Sequence, residues 1–380
     1  MRQIFSVQNP PENRIPLLQK QLQNAGKYDI MVHSARTEKA DAASVRPAKI
    51  KEYQIMDQPK VYSAKEASAY AQQILHAVQS VVVGKDMIIL KVLLAMLAKG
   101  HVLLEDMPGV GKTTLALAFA KTLDLDYHRI QFTPDVLPSD VTGFSVYKKE
   151  SGTMEFQKGA AFCNLLLADE INRTSPKTQS ALLQLMEETA VTVDGRTYTL
   201  PEPYCVLATQ NPTGSVGTQM LPESQLDRFM LRLHMGYPDL ESEVQIMQAR
   251  SAENPLAKLE PVLNRSELQI LQETAAQVYV DNAILRYIAE ISAATRNHPM
   301  IKLGVSPRGS LALCAAVRAT ALVRGRDYVT PDDIRVIVVE TFAHRMLLSA
   351  RAKTENVTAE QLIEEILNDV PVPKLRRYEE

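Results

Sequence analysis

One stretch constrains this chain more than any other: Glu105-Asp106-Met107-Pro108-Gly109-Val110-Gly111-Lys112-Thr113. An apolar run, His101 to Glu105, leads into it, and a helix-periodic run, Thr114 to Leu123, leads out. A glycine-rich turn between strand and helix gathers backbone N–H donors at one point, where the helix N-terminus adds partial positive charge. That is a cradle for phosphate oxygens. Pro108, Gly109, Val110, Gly111 and Thr114 would form its wall, Lys112 would reach the β- and γ-phosphates, and the Thr113 hydroxyl would hold Mg2+. The strict pattern opens on glycine, and here that position is Asp106. The entry turn is therefore open to question, but the Gly-Lys-Thr centre is not.

A phosphate cradle of this kind calls for a second strand ending in acid, and Leu165-Leu166-Leu167-Ala168-Asp169-Glu170 supplies one. Asp169 would orient Mg2+ through its waters and Glu170 would polarise the water that attacks the γ-phosphate. Two adjacent carboxylates at a buried strand end are costly to desolvate without a cation nearby. After the next apolar run, Ala208-Thr209-Gln210-Asn211-Pro212 places an amide where it could position that water, although Asn-Pro also suits the start of a turn. Two arginines remain to neutralise transition-state charge. Arg228, in Leu226-Asp227-Arg228-Phe229, is expected to reach a neighbouring subunit's nucleotide. Arg308, in Ser306-Pro307-Arg308-Gly309, opens a helix of the second domain and is expected to contact the γ-phosphate of its own subunit as that domain closes.

The rest of the chain divides around this centre. Apolar runs at His101–Glu105, Tyr127–Phe132, Leu165–Ala168 and Tyr204–Thr209 alternate with helical segments, which implies a parallel sheet with helices on both faces. Val191 to Leu200 alternates about Asp194-Gly195, the signal of a type I′ hairpin ahead of the fourth strand. Ahead of the cradle, Ser63 and Glu66 form a capping box for a helix with Ala67, Ala71, Ile74, Leu75 and Val78 on one face, and Lys85 to Ala98 forms a second helix. Beyond Tyr237-Pro238-Asp239 only helical periodicity is expected: Glu241–Ser251, Ser266–Val278, Asp281–Asn297, Ser310–Arg324 and Thr330–Ser349. The division is then a polar extension over 1–62 with one short helix near Pro16 to Ala25, an α/β domain over 63–236, an all-helical domain over 237–349, and a tail over 350–380 with a short helix.

Composition narrows the classes. With 42 Lys and Arg against 44 Asp and Glu, the net charge of −2 offers no global basic field for nucleic acid or an anionic membrane. Three dispersed cysteines form no CxxC pair, and the longest apolar stretch, Val81 to Ala98, is interrupted by Gly84, Lys85, Asp86 and Lys91. With no secretory signal evident, a cytoplasmic enzyme is expected.

Taken together, these strings resemble an AAA+ ATPase, and more narrowly the MoxR family. The narrower likeness rests on Leu103-Leu104-Glu105-Asp106, Gln131-Phe132-Thr133-Pro134-Asp135, Pro138-Ser139-Asp140-Val141-Thr142-Gly143, Asp169-Glu170-Ile171-Asn172-Arg173, Leu226 to Phe229, Ser306-Pro307-Arg308 and Gly325 to Pro331. It spans roughly Ala67 to Ser349, and Asp106 is the family's own departure from the strict loop. The resemblance implies a P-loop AAA+ parallel sheet followed by a smaller all-helical lid. It makes Lys112 and Thr113 the Walker A ligands, Asp169 and Glu170 the Walker B pair, Asn211 sensor 1, Arg228 a trans arginine finger and Arg308 sensor 2. Val83 and Gly84 would line the adenine pocket. Val141 to Gln157 would be a helix-2 insert and the Asp194-Gly195 hairpin the one before sensor 1, both facing substrate. Thr213-Gly214-Ser215-Val216 and Gly309 depart from the family pattern. By family the chain is an ATP-hydrolysing chaperone, expected as a homo-hexamer, that works with a von Willebrand A domain protein to mature or insert cofactors and metals into a client enzyme. The ATPase subunit of a magnesium- or cobalt-chelatase-like complex is the second expectation, and a nucleotide-dependent scaffold without turnover the third.

Overall fold

The structure, a computed structural model, describes residues 61–374 except 108, 212–220 and 253–254. The helix expected near Pro16 to Ala25 lies outside the described residues. Helix α1 (Ala64–Gln79) starts where Ser63 and Glu66 cap each other: the Glu66 N–H donates to Ser63 Oγ at 3.3 Å, and the Ser63 N–H to Glu66 Oε2 at 2.9 Å. Its five expected core residues are buried. There follow α2 (Asp86–Leu97), β1 (Val102–Glu105), α3 (Lys112–Thr122), β2 (Tyr127–Gln131) and the short α4 (Pro138–Thr142). An antiparallel pair, β3 (Gly143–Lys148) and β4 (Thr153–Lys158), leads to β5 (Leu165–Asp169) and α5 (Pro176–Glu188). The hairpin β6 (Ala190–Val193) and β7 (Arg196–Thr199) turns through Asp194 and Gly195, both at positive φ, as a type I′ turn requires. Then come β8 (Cys205–Gln210), α6 (Glu223–Leu226) and β9 (Leu231–Leu233).

The sheet is parallel throughout, in the order β2-β5-β8-β1-β9. Alternate residues of its central strands feed two cores. Val102, Leu104, Leu165, Leu167 and Leu207 pack with the helices of one face, while Leu103, Leu166, Ala168, Val206 and Ala208 pack with Leu182 and Leu183 of α5 on the other. Burial on both faces is why these strands read as unbroken apolar runs. The sequence reading found four of the five strands. β9 escaped it because three residues, one of them Arg232, carry too little periodicity, and only pairing with β1 makes them a strand.

Past β9 the chain forms α7 (Leu240–Ala252), α8 (Arg265–Gln277), α9 (Asn282–Asn297), β10 (Ile301–Leu303), α10 (Pro307–Val323), α11 (Pro331–Phe342), β11 (Leu347–Leu348), α12 (Ala350–Thr354) and α13 (Ala359–Asp369). Three expectations need correction here. The region is not purely helical, since β10 and β11 pair antiparallel with Ile301 opposite Leu348. The helix expected over Thr330–Ser349 ends at Phe342, where a 3-10 turn swings Arg345 onto Asp227. And the helical body does not stop at 349: α13 buries Leu362, Ile363, Ile366 and Leu367 against α9 and α11. Among the described residues no helix is long and apolar enough to cross a membrane.

Candidate active site

The phosphate loop takes the shape its glycines require. Gly109 and Gly111 sit at φ +90° and +99°, and a side chain on either would project into open space, leaving the loop's concave side free. Gly111 caps α3, so Lys112 opens the helix and Thr113 follows on its first turn. Lys112 is buried, and its Nζ donates to the Asp106 carbonyl at 2.8 Å. Burial pushes its ammonium pKa down, opposed by the nearby charges of Asp169, Asp106 and Glu170. A cavity of about 320 Å³ is lined by Gly109, Gly111, Lys112, Thr113, Thr114, Asp169 and Glu170, together with Arg129 and Gln131. Beside it a cavity of about 470 Å³ is lined by Val81, Val82, Val83, Val110, Thr114 and Ile246, a surface suited to a purine ring. Val83 reaches that pocket. Gly84 plays a different part: a Cβ there would lie 2.2 Å from Ser242 Oγ, so glycine lets the segment pack against α7. Pro108 lies outside the described residues, as do Thr213 to Val216.

Asp106 has a structural answer. Its carboxylate accepts from the Met235 N–H, and from the Gly236 N–H at 3.1 Å, so it holds the linker that follows β9. Lys85 grips the same linker through its carbonyls, donating to Met235 O at 2.7 Å and Tyr237 O at 2.9 Å. The residue that breaks the strict pattern thus ties the phosphate loop to the junction between sheet and lid.

The acidic strand end is held on several sides. Asp169 Oδ1 accepts from the Thr209 hydroxyl at 2.6 Å and Oδ2 from Arg129 Nη2 at 2.7 Å. Glu170 adopts a left-handed conformation, φ 58°, at a typical cost of about 1–3 kcal/mol that the surrounding bonds must offset. Its N–H donates to Thr209 Oγ1 at 2.8 Å, Asn211 Nδ2 donates to Oε1 at 3.1 Å, and Arg173 Nη1 lies 2.8 Å from Oε2. Asn172 grips the backbone of Asn211, accepting from its N–H at 3.3 Å and donating to its carbonyl at 3.1 Å. The buried Asn211 Oδ1 has no hydrogen-bond partner, so one acceptor stands free beside the Glu170 carboxylate, suited to a water. The donor set suits Mg2+ as well: a hydroxyl and a carboxylate, Thr113 and Asp169, share the phosphate cavity.

The two arginines share one partner outside the phosphate cavity. Arg228 donates to Leu183 O at 2.9 Å and lies 3.2 Å from Glu187 Oε2. Arg308 lies 3.1 Å from Glu187 Oε1. One glutamate of α5 therefore holds both, and neither lines the chain's own phosphate cavity. Arg308 thus stands on Glu187, away from the phosphate cavity of its own chain. Asp227 organises the pair. It accepts from the buried Arg345 Nε at 2.8 Å and from the Ser306 hydroxyl at 3.1 Å, fixing the neighbours of Arg228 and Arg308 at once. Burial lowers the Arg345 pKa to about 10, and Asp227 opposes the shift. Sequence reasoning missed Arg129, Asn172, Glu187, Thr209 and Asp227. Arg129 carried a faint signal, a charge two residues before Gln131, which stands opposite Asp169 in the sheet register.

Comparison with known proteins agrees with this geometry. The family model described as "ATPase family associated with various cellular activities (AAA)" matches residues 101–231, and an AAA lid domain model matches 293–366. The chain is 51% identical over 299 residues to "Uncharacterized protein YeaC" of Bacillus subtilis, covering 79% of this chain and 93% of the relative. It is 38% identical over 313 residues to "Chaperone MoxR1" of Mycobacterium tuberculosis, covering 80% and 82%. A crystal structure of a candidate ATPase from Cytophaga hutchinsonii superposes with a TM-score of 0.76 at 38% identity, covering 82% of this chain and 98% of that one. The chain belongs to the MoxR family of AAA+ ATPases, and the reaction its site serves is ATP hydrolysis.

Proposed function

We propose that this ATPase is a ring-forming remodelling chaperone, a homo-hexamer in which each pocket is completed by Arg228 and Arg308 of a neighbour. The pairing of both arginines on Glu187, away from their own chain's cavity, supports completion in trans. Within the pocket, Lys112 and the loop N–H groups bind the triphosphate, while Thr113 and Asp169 would hold Mg2+, whose chemistry is to neutralise charge on the phosphate oxygens. Asn211 Oδ1 accepts a hydrogen bond from the attacking water, and Glu170, as general base, takes the water's other proton and passes it on to the released phosphate. As the water oxygen bonds to the γ-phosphorus, the bond to the β,γ-bridging oxygen breaks and ADP leaves. Glu170 at its left-handed backbone position is held on that line by Asn211 and Arg173.

The chaperone role is carried by the two hairpins. Phe156 of β4 stacks on Tyr198 of β7, ring centroids 4.0 Å apart, which couples them into one projection. Tyr147 and Met154, paired across β3 and β4, are both more than half exposed there, as are few large apolar groups in the α/β part. An exposed aromatic and thioether pair on a rigid mount suits contact with non-polar segments of a client. Magnesium use, the cytoplasmic setting, a von Willebrand A domain partner and a client enzyme receiving a cofactor or metal belong to the same proposal. Glu170→Gln is the test. Turnover is expected to fall about 10²–10⁴-fold, the usual worth of a general base, with ATP still bound and assemblies stabilised. Client retained by that variant with ATP is expected to be released when Tyr147 and Met154 are also changed to Ser. Unchanged turnover sinks the role of Glu170, retention indifferent to the hairpin sinks the chaperone surface, and capture of a large chelatase subunit turns the reading towards a chelatase-like complex.

A further inference from the structure

The phosphate cavity contains a cation that the reaction scheme above does not use. Arg129 lies on the edge strand β2, and its guanidinium donates to Asp169 Oδ2 at 2.7 Å and to Gln131 Oε1 at 3.1 Å. Its side chain remains 46% exposed, so no packing fixes it there. The other oxygen of Asp169 is taken by the Thr209 hydroxyl, a donor that itself lies fully buried. Oδ2 is therefore the oxygen of Asp169 left to face a metal and its waters, and Arg129 sits on it.

Mg2+ with its waters and Arg129 would compete for that one oxygen, since like charges at short range repel. When Mg2+ enters with the triphosphate, Arg129 meets competition for Oδ2, and the anion that arrives alongside is the nucleotide. Arg129 lines the same cavity as Glu170 and reaches Asp169, the residue just before Glu170 in the chain, so the guanidinium lies on the acidic side of the pocket. Planar guanidinium donors match phosphate oxygens in pairs, and such charge-assisted bonds are among the stronger ones. We propose that Arg129 is a γ-phosphate contact supplied in cis, parked on Asp169 in the empty pocket and transferred to the terminal phosphate when magnesium takes the carboxylate. It would distinguish ATP from ADP within one chain, before any neighbour contributes. This rests on the placement of magnesium at Thr113 and Asp169.

The test is the ATP-to-ADP affinity ratio of the full chain in the Glu170→Gln background, measured by calorimetry with Mg2+ present. Arg129→Ala is expected to weaken ATP about tenfold, or about 1.4 kcal/mol, while changing ADP less than twofold. Arg129→Lys is expected to recover part of the loss as a point charge. A loss shared equally by ATP and ADP, or no loss, overturns the proposal. Arg129→Met keeps the side chain's apolar stem and repeats the measurement should Arg129→Ala fold poorly. The magnesium placement fails separately, if the Arg129-intact chain binds ADP equally with and without Mg2+.

Discussion

The nucleotide pocket and the face that carries Arg228 and Arg308 use the same pairing of guanidinium and carboxylate with the roles exchanged. In the pocket the carboxylates do the chemistry, and Arg129 and Arg173 hold Asp169 and Glu170. On the other face Glu187 holds both arginines, the groups proposed to work there. The two also differ in what builds them. The catalytic end of the pocket comes from strand ends of one sheet and the start of one helix. The arginine face needs the lid, because Asp227 secures its neighbourhood through Ser306 and Arg345 from beyond the linker. On the proposed reading, these are two half-sites, each completed by another copy.

The strongest way to break that comparison is to separate the halves. Arg228→Ala and Lys112→Ala chains are each expected to lose turnover by about 10³-fold or more, the range for an arginine finger supplied in trans. Mixed together they are expected to regain activity, since one brings an intact pocket and the other an intact arginine face. A mixture as inactive as its parts shows instead that each chain serves itself.

Acid is expected to act on the arginine side first. His101 is buried and neutral, with Nε2 donating to Met186 O at 2.9 Å and Nδ1 accepting from the Val206 N–H at 3.0 Å, so it holds α5 beside Glu187. Burial lowers its pKa to about 4. His344, whose Nε2 bonds Phe229 O at 3.0 Å, is lowered in the same direction, chiefly by burial and then by Arg345. Because the folded His101 resists a proton that the unfolded chain accepts below about pH 6.5, its contribution is present above that pH. It is lost as the pH falls towards about 4 and amounts to about 3 kcal/mol for the shift cited. The urea midpoint is expected to drop between pH 7 and 4.5 and to drop less in His101→Gln. Equal slopes in the two chains count against this assignment.

The smallest effect concerns the tie between pocket and lid. Asp106→Gly restores the strict loop pattern but leaves the Met235 and Gly236 N–H groups without their acceptor. A stability loss of about 1–3 kcal/mol is expected, with ADP affinity kept within a few-fold. An Asp106→Gly chain as stable as the parent shows that Lys85 alone secures the linker.

What could be read in advance followed from locality. The strand–loop–helix around Lys112, the acid pair at the end of β5 and the Asp194-Gly195 turn are each written in consecutive residues, because a phosphate cradle, a buried strand and a type I′ turn are local demands. The hairpin β3–β4 was expected only as an insert. β9, β10 and β11 were missed, since strands of two or three residues exist by virtue of the strands beside them.

The sequence by itself determined the fold class and the strand–loop–helix that forms the phosphate cradle, since those depend on backbone geometry that glycine, a buried apolar strand and a helix N-terminus impose nearby. Only the tertiary structure decided where the arginines sit, what Asp106 holds and that Arg129 shares the pocket. Those depend on contacts between residues far apart in the chain: Glu187 with Arg308, Asp106 with Gly236, Arg129 with Asp169. A side chain's charge is visible in a sequence, but the partner that directs it is chosen by packing.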